Sequence, residues 1–317
     1  MKQSLFVFFL VAIFSVADLQ AQNEVIKDDI AFRNGDHLLS GTLILPEGAN
    51  DVPVLLFLGG ITPWGDFHPN RASFISENLE NIFPQSGIGV MYFSPRGVGS
   101  SSGKWQRTNF QEFAEDAKAA VKYLKQRREI DSSRIGIIGH DEDAWVAQIV
   151  AAEIPEDIKL MISLAGAPYE ATRQLINEYH SKYVCDGQDS TAALTKATQK
   201  AQSHENWVSI LPLTKRWRHM KMKQDFDPAN YIQALKVPSL FLFAENDGEV
   251  YSSWALDAFD DIFTPGIPDN FTIDVVPGAN HYFKVADKCY ENGEGSIIRN
   301  YSFRFKEILR NWVFAQI

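Results

Sequence analysis

Short apolar runs alternating with helix-length amphipathic stretches constrain this chain more than any other feature. VPVLLFL at 52–58, GIGVMYFS at 87–94, RIGIIG at 134–139, LMISL at 160–164, SLFLFA at 239–244 and TIDVV at 272–276 are each short enough for a strand. Strands buried on both faces read as continuous apolar runs. Between them lie helical patterns at 71–83, at 144–152 and in a segment where Phe110, Phe113, Ala117, Val121 and Leu124 share one face. Thr108 followed by Gln111 gives that last segment a capping-box start. Residues 25–33 and 37–45 flank Asn34-Gly35-Asp36 and read as a hairpin. An amphipathic helix through Phe303, Ile308, Leu309 and Trp312 closes the chain. This alternation implies an α/β fold, a mostly parallel sheet flanked by helices on both faces.

One stretch breaks the rhythm. Residues 169–231 carry no strand pattern and are polar, helical and rich in Gln, Lys and Trp. They read as a helical lid inserted into a core made of residues 22–168 and 232–317, and 317 residues suit such a body. Residues 1–21 read as a cleaved signal peptide. Lys2 precedes the apolar LFVFFLVAIFSVA, which is shorter than a membrane span needs, and Ala21 supplies the small residue at the cut. The expected location is therefore secreted or periplasmic, with no membrane association after cleavage. Export permits a bridge between Cys185 and Cys289, and two unpaired thiols are the alternative. Thirty basic against forty acidic residues give a net charge of −10, and no Lys/Arg run suggests nucleic acid. A small-molecule substrate or ligand is the expected partner; the oligomeric state is left open.

The chemistry concentrates where strands end. One run ends at Gly139-His140-Asp141-Glu142-Asp143 and leads straight into a helix; others end at Glu245-Asn246-Asp247 and at Gly278-Ala279-Asn280-His281. Ligands bind outside the carboxyl ends of strands in an open parallel sheet, so Asp141, Asp247 and His281 are expected to meet at one edge.

Gly59-Gly60, the turn SPRGVGSSSG, the segment RIGIIGHDEDAWVAQIVAA and the turns AEND and PGANHYF occur in an order that resembles the α/β-hydrolase superfamily, in particular its secreted serine esterase and aminopeptidase-like branch. The resemblance covers most of the mature chain. It implies Asp141 at the nucleophile position, Asp247 as the acid, His281 as the base, and the backbone N–H groups of Gly60 and Glu142 as oxyanion donors. It implies no cofactor. The departures are equally specific: the family's serine is Asp141, its next glycine is Asp143, its oxyanion-loop histidine is Leu58, and its aspartate before the Arg-Gly turn is Ser94.

An ionised aspartate attacks an sp3 carbon bearing a leaving group and forms an alkyl ester, which a His281-activated water then cleaves. The superfamily's epoxide hydrolases and haloalkane dehalogenases resemble that arrangement. The first needs a lid tyrosine as proton donor, with Tyr179 and Tyr183 as candidates; the second needs ring N–H donors, with Trp64 and Trp145 as candidates. The opposite reading is a pseudoenzyme or degenerate esterase/peptidase whose pocket binds a ligand without turnover, because three adjacent carboxylates at 141–143 repel one another and an incoming anion. A third reading makes Asp141, Asp247 and His281, with Glu142, hard ligands for a cation. The remaining histidines have no metal-ligand spacing, so no resident metal is expected from them.

Overall fold

The computed structural model describes residues 24–60, 69–289 and 299–317; residues 1–21, expected to be a signal peptide, and Trp64 lie outside them. Eight strands form one sheet in the order β1-β2-β4-β3-β5-β6-β7-β8. They are β1 (Val25–Asn34), β2 (His37–Pro46), β3 (Val52–Leu58), β4 (Gly89–Phe93), β5 (Ile130–His140), β6 (Leu160–Leu164), β7 (Ser239–Ala244) and β8 (Phe271–Val276). β1 and β2 pair as an antiparallel hairpin and β2 runs antiparallel to β4; all other neighbours are parallel. The helices are α1 (Pro69–Ile75), α2 (Phe110–Lys125), α3 (Glu142–Glu153), α4 (Ala171–Cys185), α5 (Ser190–Ile210), α6 (Lys215–Lys223), α7 (Ala229–Ala234), α8 (Ser252–Ile262) and α9 (Phe303–Gln316). This is the α/β-hydrolase architecture, with helices on both faces of the sheet.

The apolar runs divide between two cores because successive strand residues point to opposite faces. Val54, Leu56, Ile135, Ile137, Phe241 and Phe243 pack with α2, α3 and α8. Leu55, Phe57, Ile138, Leu240 and Leu242 pack on the other face with Phe74 of α1 and with Phe305, Leu309 and Val313 of α9. Full burial of a side chain of this size contributes about 1.5–3 kcal/mol. α3 packs against β5, β6 and α2 and is buried from Glu142 through Ala151, so that stretch presents no solvent face.

Two local expectations shift. The cap of α2 is Asn109, one residue beyond Thr108: its side chain accepts from the Glu112 N–H at 2.8 Å, and the Glu112 carboxylate accepts from the Asn109 N–H at 2.9 Å. The Glu112 side chain satisfies the reciprocal bond where the Thr108–Gln111 pair was expected to. The helix expected at 71–83 is α-helical through Ile75 and then widens into a π turn at Ser76–Glu80.

The turn that resembles the family's RGxGxS sequence acts as a brace. Arg96, nearly buried, makes two bonds to the buried Asp116 of α2, Nε at 2.6 Å and a terminal nitrogen at 2.9 Å. Paired, hydrogen-bonded geometry is what makes burial of such charges tolerable.

Between β6 and β7 the chain leaves the sheet and forms α4, α5 and α6. These helices approach the core through polar side chains. Asn177 on α4 is fully buried; its Oδ1 accepts from the Tyr251 N–H at 2.6 Å and its amide donates to the Gly248 carbonyl at 3.3 Å. Cys185 at the end of α4 is joined by a disulfide to Cys289, beyond His281.

Candidate functional site

β5 delivers Asp141 into a strained turn. Its backbone sits at φ 56°, ψ −126°, a positive-φ conformation that non-glycine residues adopt at a cost of about 1–3 kcal/mol and mostly at functional sites. The turn is tight because β5 and α3 nearly touch at Gly139, where a Cβ would lie 2.3 Å from the Asp143 carbonyl and 2.5 Å from Ala144 Cα. A glycine is therefore obligatory two residues before Asp141. Two residues after it, Asp143 is accommodated because its side chain leaves the strand–helix contact and turns toward the β3 loop.

Asp247 follows β7, and His281 follows β8. The Asp247 Oδ1 accepts the backbone N–H groups of Glu249 at 2.7 Å and Val250 at 2.9 Å, which fixes the carboxylate. Its Oδ2 accepts from His281 Nδ1 at 2.9 Å. His281 Nε2 then points at Asp141, 3.8 Å from its Oδ1. The structure thus brings Asp141, Asp247 and His281 together. A further residue joins them: Glu249 places Oε2 3.7 Å from the same Nε2. His281 is buried, and its Nε2 has no hydrogen-bond partner.

The three consecutive acids, expected to repel one another at the turn, take three separate environments. Glu142 is buried and pairs with both His219 and Lys223 of α6. Burial raises its pKa, but Lys223 and His219 with their hydrogen bonds outweigh that and bring it down to about 2. Asp143 accepts the Gly60 N–H through Oδ2 at 2.8 Å. Asp141 alone faces the histidine; Gln174 of α4 donates to its Oδ1 at 3.2 Å. Burial pushes the Asp141 carboxyl up, against the nearby His281. For His281, burial acts downward, but the carboxylates of Asp247 and Glu249 prevail and hold it well above the usual imidazole range. Burial pushes Glu249 up to about 7.

Several sequence expectations change here. The Gly60 N–H is expected to await an oxyanion, yet it is occupied by the chain's own Asp143 carboxylate; the Glu142 N–H lies at the first position of α3, beside Asp141. The two tyrosines expected as proton donors are engaged elsewhere. The Tyr179 hydroxyl shares a 2.7 Å hydrogen bond with His204 Nδ1, and Tyr183 stacks beside it under Lys196. They sit on the α5 side of α4 because the opposite face carries Gln174 and Asn177 to the site. Trp145 cannot offer its ring N–H to a halide, since that group donates to the Ala167 carbonyl at 2.6 Å in a fully buried position. The expected cation set also changes: Glu142 is engaged by α6 and Asp247 lies on the Nδ1 side of the imidazole, so the group sharing one space is Asp141, Glu249 and His281.

Two cavities border the group, one lined by Asp141 and the other by Asp247 and Glu249. One, of about 50 Å³, is lined by Phe57, Gly60, Phe74, Asp141, Asp143 and Tyr282 among others. The other, of about 600 Å³, lies between the inserted helices and the β7 loop and is lined by Glu178, Arg216, Asp247, Glu249, Lys288 and the Cys185–Cys289 bridge among others. Sequence reasoning missed Gln174, Glu178, His219, Lys223 and Glu249. Two signals were available: Glu249 stands two residues beyond Asp247, and His219 and Lys223 are four residues apart on one helix face, hydrogen-bond donors that complement the 141–143 acids.

Residues 34–237 match the sequence profile of the S15 peptidases, the X-Pro dipeptidyl-peptidases. No curated relative matches the chain. Among solved structures, an acetyl xylan esterase from Paenibacillus sp. R4 is similar with a TM-score of 0.59 at 13% identity, over 95% of this chain and 86% of its own. An esterase from Pyrococcus furiosus gives 0.57 at 17% identity, over 92% and 91%. An esterase from Butyrivibrio proteoclasticus with bound ferulic acid gives 0.57 at 14% identity, over 90% and 98%. At these identities the likeness is one of fold.

Proposed function

Since this chain belongs to the peptidase S15 family, hydrolases of the esterase and peptidase type with the α/β-hydrolase fold, we propose that its pocket binds a small polar ligand and that serine-type acyl transfer is switched off. One observation carries this reading: Asp143 Oδ2 sits 2.8 Å from the Gly60 N–H. Acyl transfer needs preorganised donors where the oxyanion forms, and losing one such donor costs about 10²–10³ in rate. Here that donor is matched to a built-in carboxylate, which also repels a developing oxyanion. Asp141 adds a second block, because attack by a carboxylate on an ester gives an anhydride rather than a stable acyl-enzyme. Surrounded by carboxylates that favour its charged form, His281 is also poorly placed to accept a proton from water.

The larger cavity suits ligand retention. Its wall carries Glu178 and Glu249 on one hand and Arg216 and Lys288 on the other, so a ligand with both charges finds partners. We place the protein in an exported compartment. The 1–21 leader supports this, as does the Cys185–Cys289 bridge, since disulfides persist in oxidising surroundings.

The test uses a panel of aryl and alkyl esters and dipeptidyl amides with the unmodified protein and with Asp141→Ser/Asp143→Gly. Ester turnover is expected only in the double variant, which restores the hydroxyl and frees the Gly60 N–H. Robust turnover by the unmodified protein rejects the reading.

A second reading is favoured by the 3.8 Å approach of His281 Nε2 to Asp141 Oδ1 and by the strained Asp141 turn. Asp141 would attack an epoxide or haloalkane carbon and form an alkyl ester as the C–O or C–halogen bond breaks, the halide leaving to solvent or the opened oxygen taking a proton from solvent. Intact-protein mass spectrometry with such substrates detects the adduct on Asp141, and Asp141→Asn abolishes it.

A further inference from the structure

The imidazole at the centre of this site is unusual in what it lacks. His281 is 1% exposed, its Nδ1 is bonded to Asp247, and its Nε2 has no hydrogen-bond partner. That nitrogen faces two carboxylates, Asp141 Oδ1 at 3.8 Å and Glu249 Oε2 at 3.7 Å. Both distances exceed a hydrogen bond. The candidate ligand atoms of Asp141, Glu249 and His281 all lie within 4.8 Å of one another.

We propose that Asp141, Glu249 and His281 form a binding site for one divalent transition-metal ion, with Zn2+ as the type ion. The proposal rests on the reading above, in which Asp141 is not a nucleophile; an aspartate in place of serine then supplies the hard ligand that a hydroxyl would not.

The dimensions fit. Zinc bonds of about 2.0–2.1 Å place tetrahedral neighbours about 3.4 Å apart, so the imidazole–carboxylate separations need to close by only a few tenths of an ångström. The ligand types fit as well. One imidazole and two carboxylates suit zinc and its first-row neighbours, whereas calcium takes six to eight oxygens.

The outer partners are those a ligated histidine needs. The Asp247 carboxylate accepts from Nδ1, so that when the ion displaces the Nε2 proton to solvent the freed lone pair is directed at it. Asp247 is itself held by two backbone N–H groups. Gln174 donates to Asp141 Oδ1 and restrains the second ligand. Glu249 and Asp247 both line the 600 Å³ cavity, so the Glu249 side of the site borders a space that solvent or a bound molecule can occupy. Glu142 and Asp143, though adjacent in sequence, are excluded because α6 and the Gly60 N–H hold them away.

The experiment is calorimetric titration of the chelator-stripped full-length protein with ZnCl2, paired with elemental analysis after dialysis. One equivalent is expected to bind. Glu249→Gln and Asp141→Asn are each expected to weaken it at least about tenfold, and Asp247→Asn about 10–100-fold through the histidine. Asp257→Asn, which removes an exposed carboxylate on α8 away from the ligand set, should leave affinity unchanged. Glu249 is half-buried at the cavity wall, so its variant keeps the fold, and circular dichroism of each metal-free variant verifies that. Binding well below one equivalent in the unmodified protein overturns the proposal, and so does undiminished binding in Asp141→Asn/Glu249→Gln. The two readings fail separately: ester turnover by metal-stripped protein rejects the ligand-binding function, whereas an inert protein that takes up no zinc rejects the metal site alone.

Discussion

The sheet and the inserted helices are held in place by different forces. Around β3, β6, β7 and residues 135–139 of β5 almost every side chain is apolar and buried, on both faces. α4, α5 and α6 meet that body through Asn177, Gln174, the Glu142–His219–Lys223 cluster and a disulfide. Apolar burial is non-directional and tolerates small shifts; polar contacts hold only at set distances and charges. The candidate site lies on the seam between the two. Its histidine and acid belong to the sheet edge, while the groups that neutralise Glu142 and restrain Asp141 come from the insertion. A scaffold of rigid strands can keep a triad-like geometry while the seam rewrites its electrostatics.

The largest effect separating the two regions is expected in the core. Phe241→Ala removes a fully buried ring and should cost about 3–5 kcal/mol, seen as a drop in the denaturation midpoint by every probe at once. Lys223→Met strikes the seam. It leaves Glu142 buried with only His219 beside it, and a loss of about 3 kcal/mol is expected, the low end for breaking a buried pair. Hydrogen exchange should show that loss first in α6 and only later in β5; simultaneous release would merge the two regions into one unit. Replacing both cysteines with serine should cost about 2 kcal/mol or more, for a bridge closing a 104-residue separation, and should loosen α4 without altering β3 or β5 protection.

Acid distinguishes the regions without mutation. The folded pKa of Glu142 is depressed from 4.5 to about 2, so the stability it contributes is present above about pH 4.5 and is lost as pH falls toward 2. Glu142→Gln should flatten stability over that window, whereas an unchanged slope would remove Glu142 as its source. The smallest effect is expected at Tyr179→Phe. Its partner His204 is part of the insertion, so ligand binding should not change and stability should fall by about 1 kcal/mol or less. A large loss of ligand binding would return Tyr179 to the site.

Much of this architecture was legible because its signals are local. VPVLLFL and SLFLFA read as strands since each is short, apolar and punctuated, and the same residues fill β3 and β7. The order Asp141, Asp247, His281 followed from placing each after a strand. The cap of α2 was misread by one residue because Thr108–Gln111 and Asn109–Glu112 both fit the pattern, and only backbone geometry separates them. Tyr179, Tyr183 and Trp145 were misplaced because helix periodicity gives a face but not what that face meets.

The sequence by itself determined the alternation of strands and helices, the sharp turn at Asp141 and the gathering of acid and histidine at one sheet edge, since apolar period and turn chemistry act over a few residues. Only the tertiary structure decided what the three consecutive acids do. Glu142 finds Lys223, Asp143 finds Gly60 and Asp141 finds His281, over separations of 81, 83 and 140 residues. The charge and reach of a carboxylate depend on burial and on partners brought from far along the chain, and no local pattern encodes either.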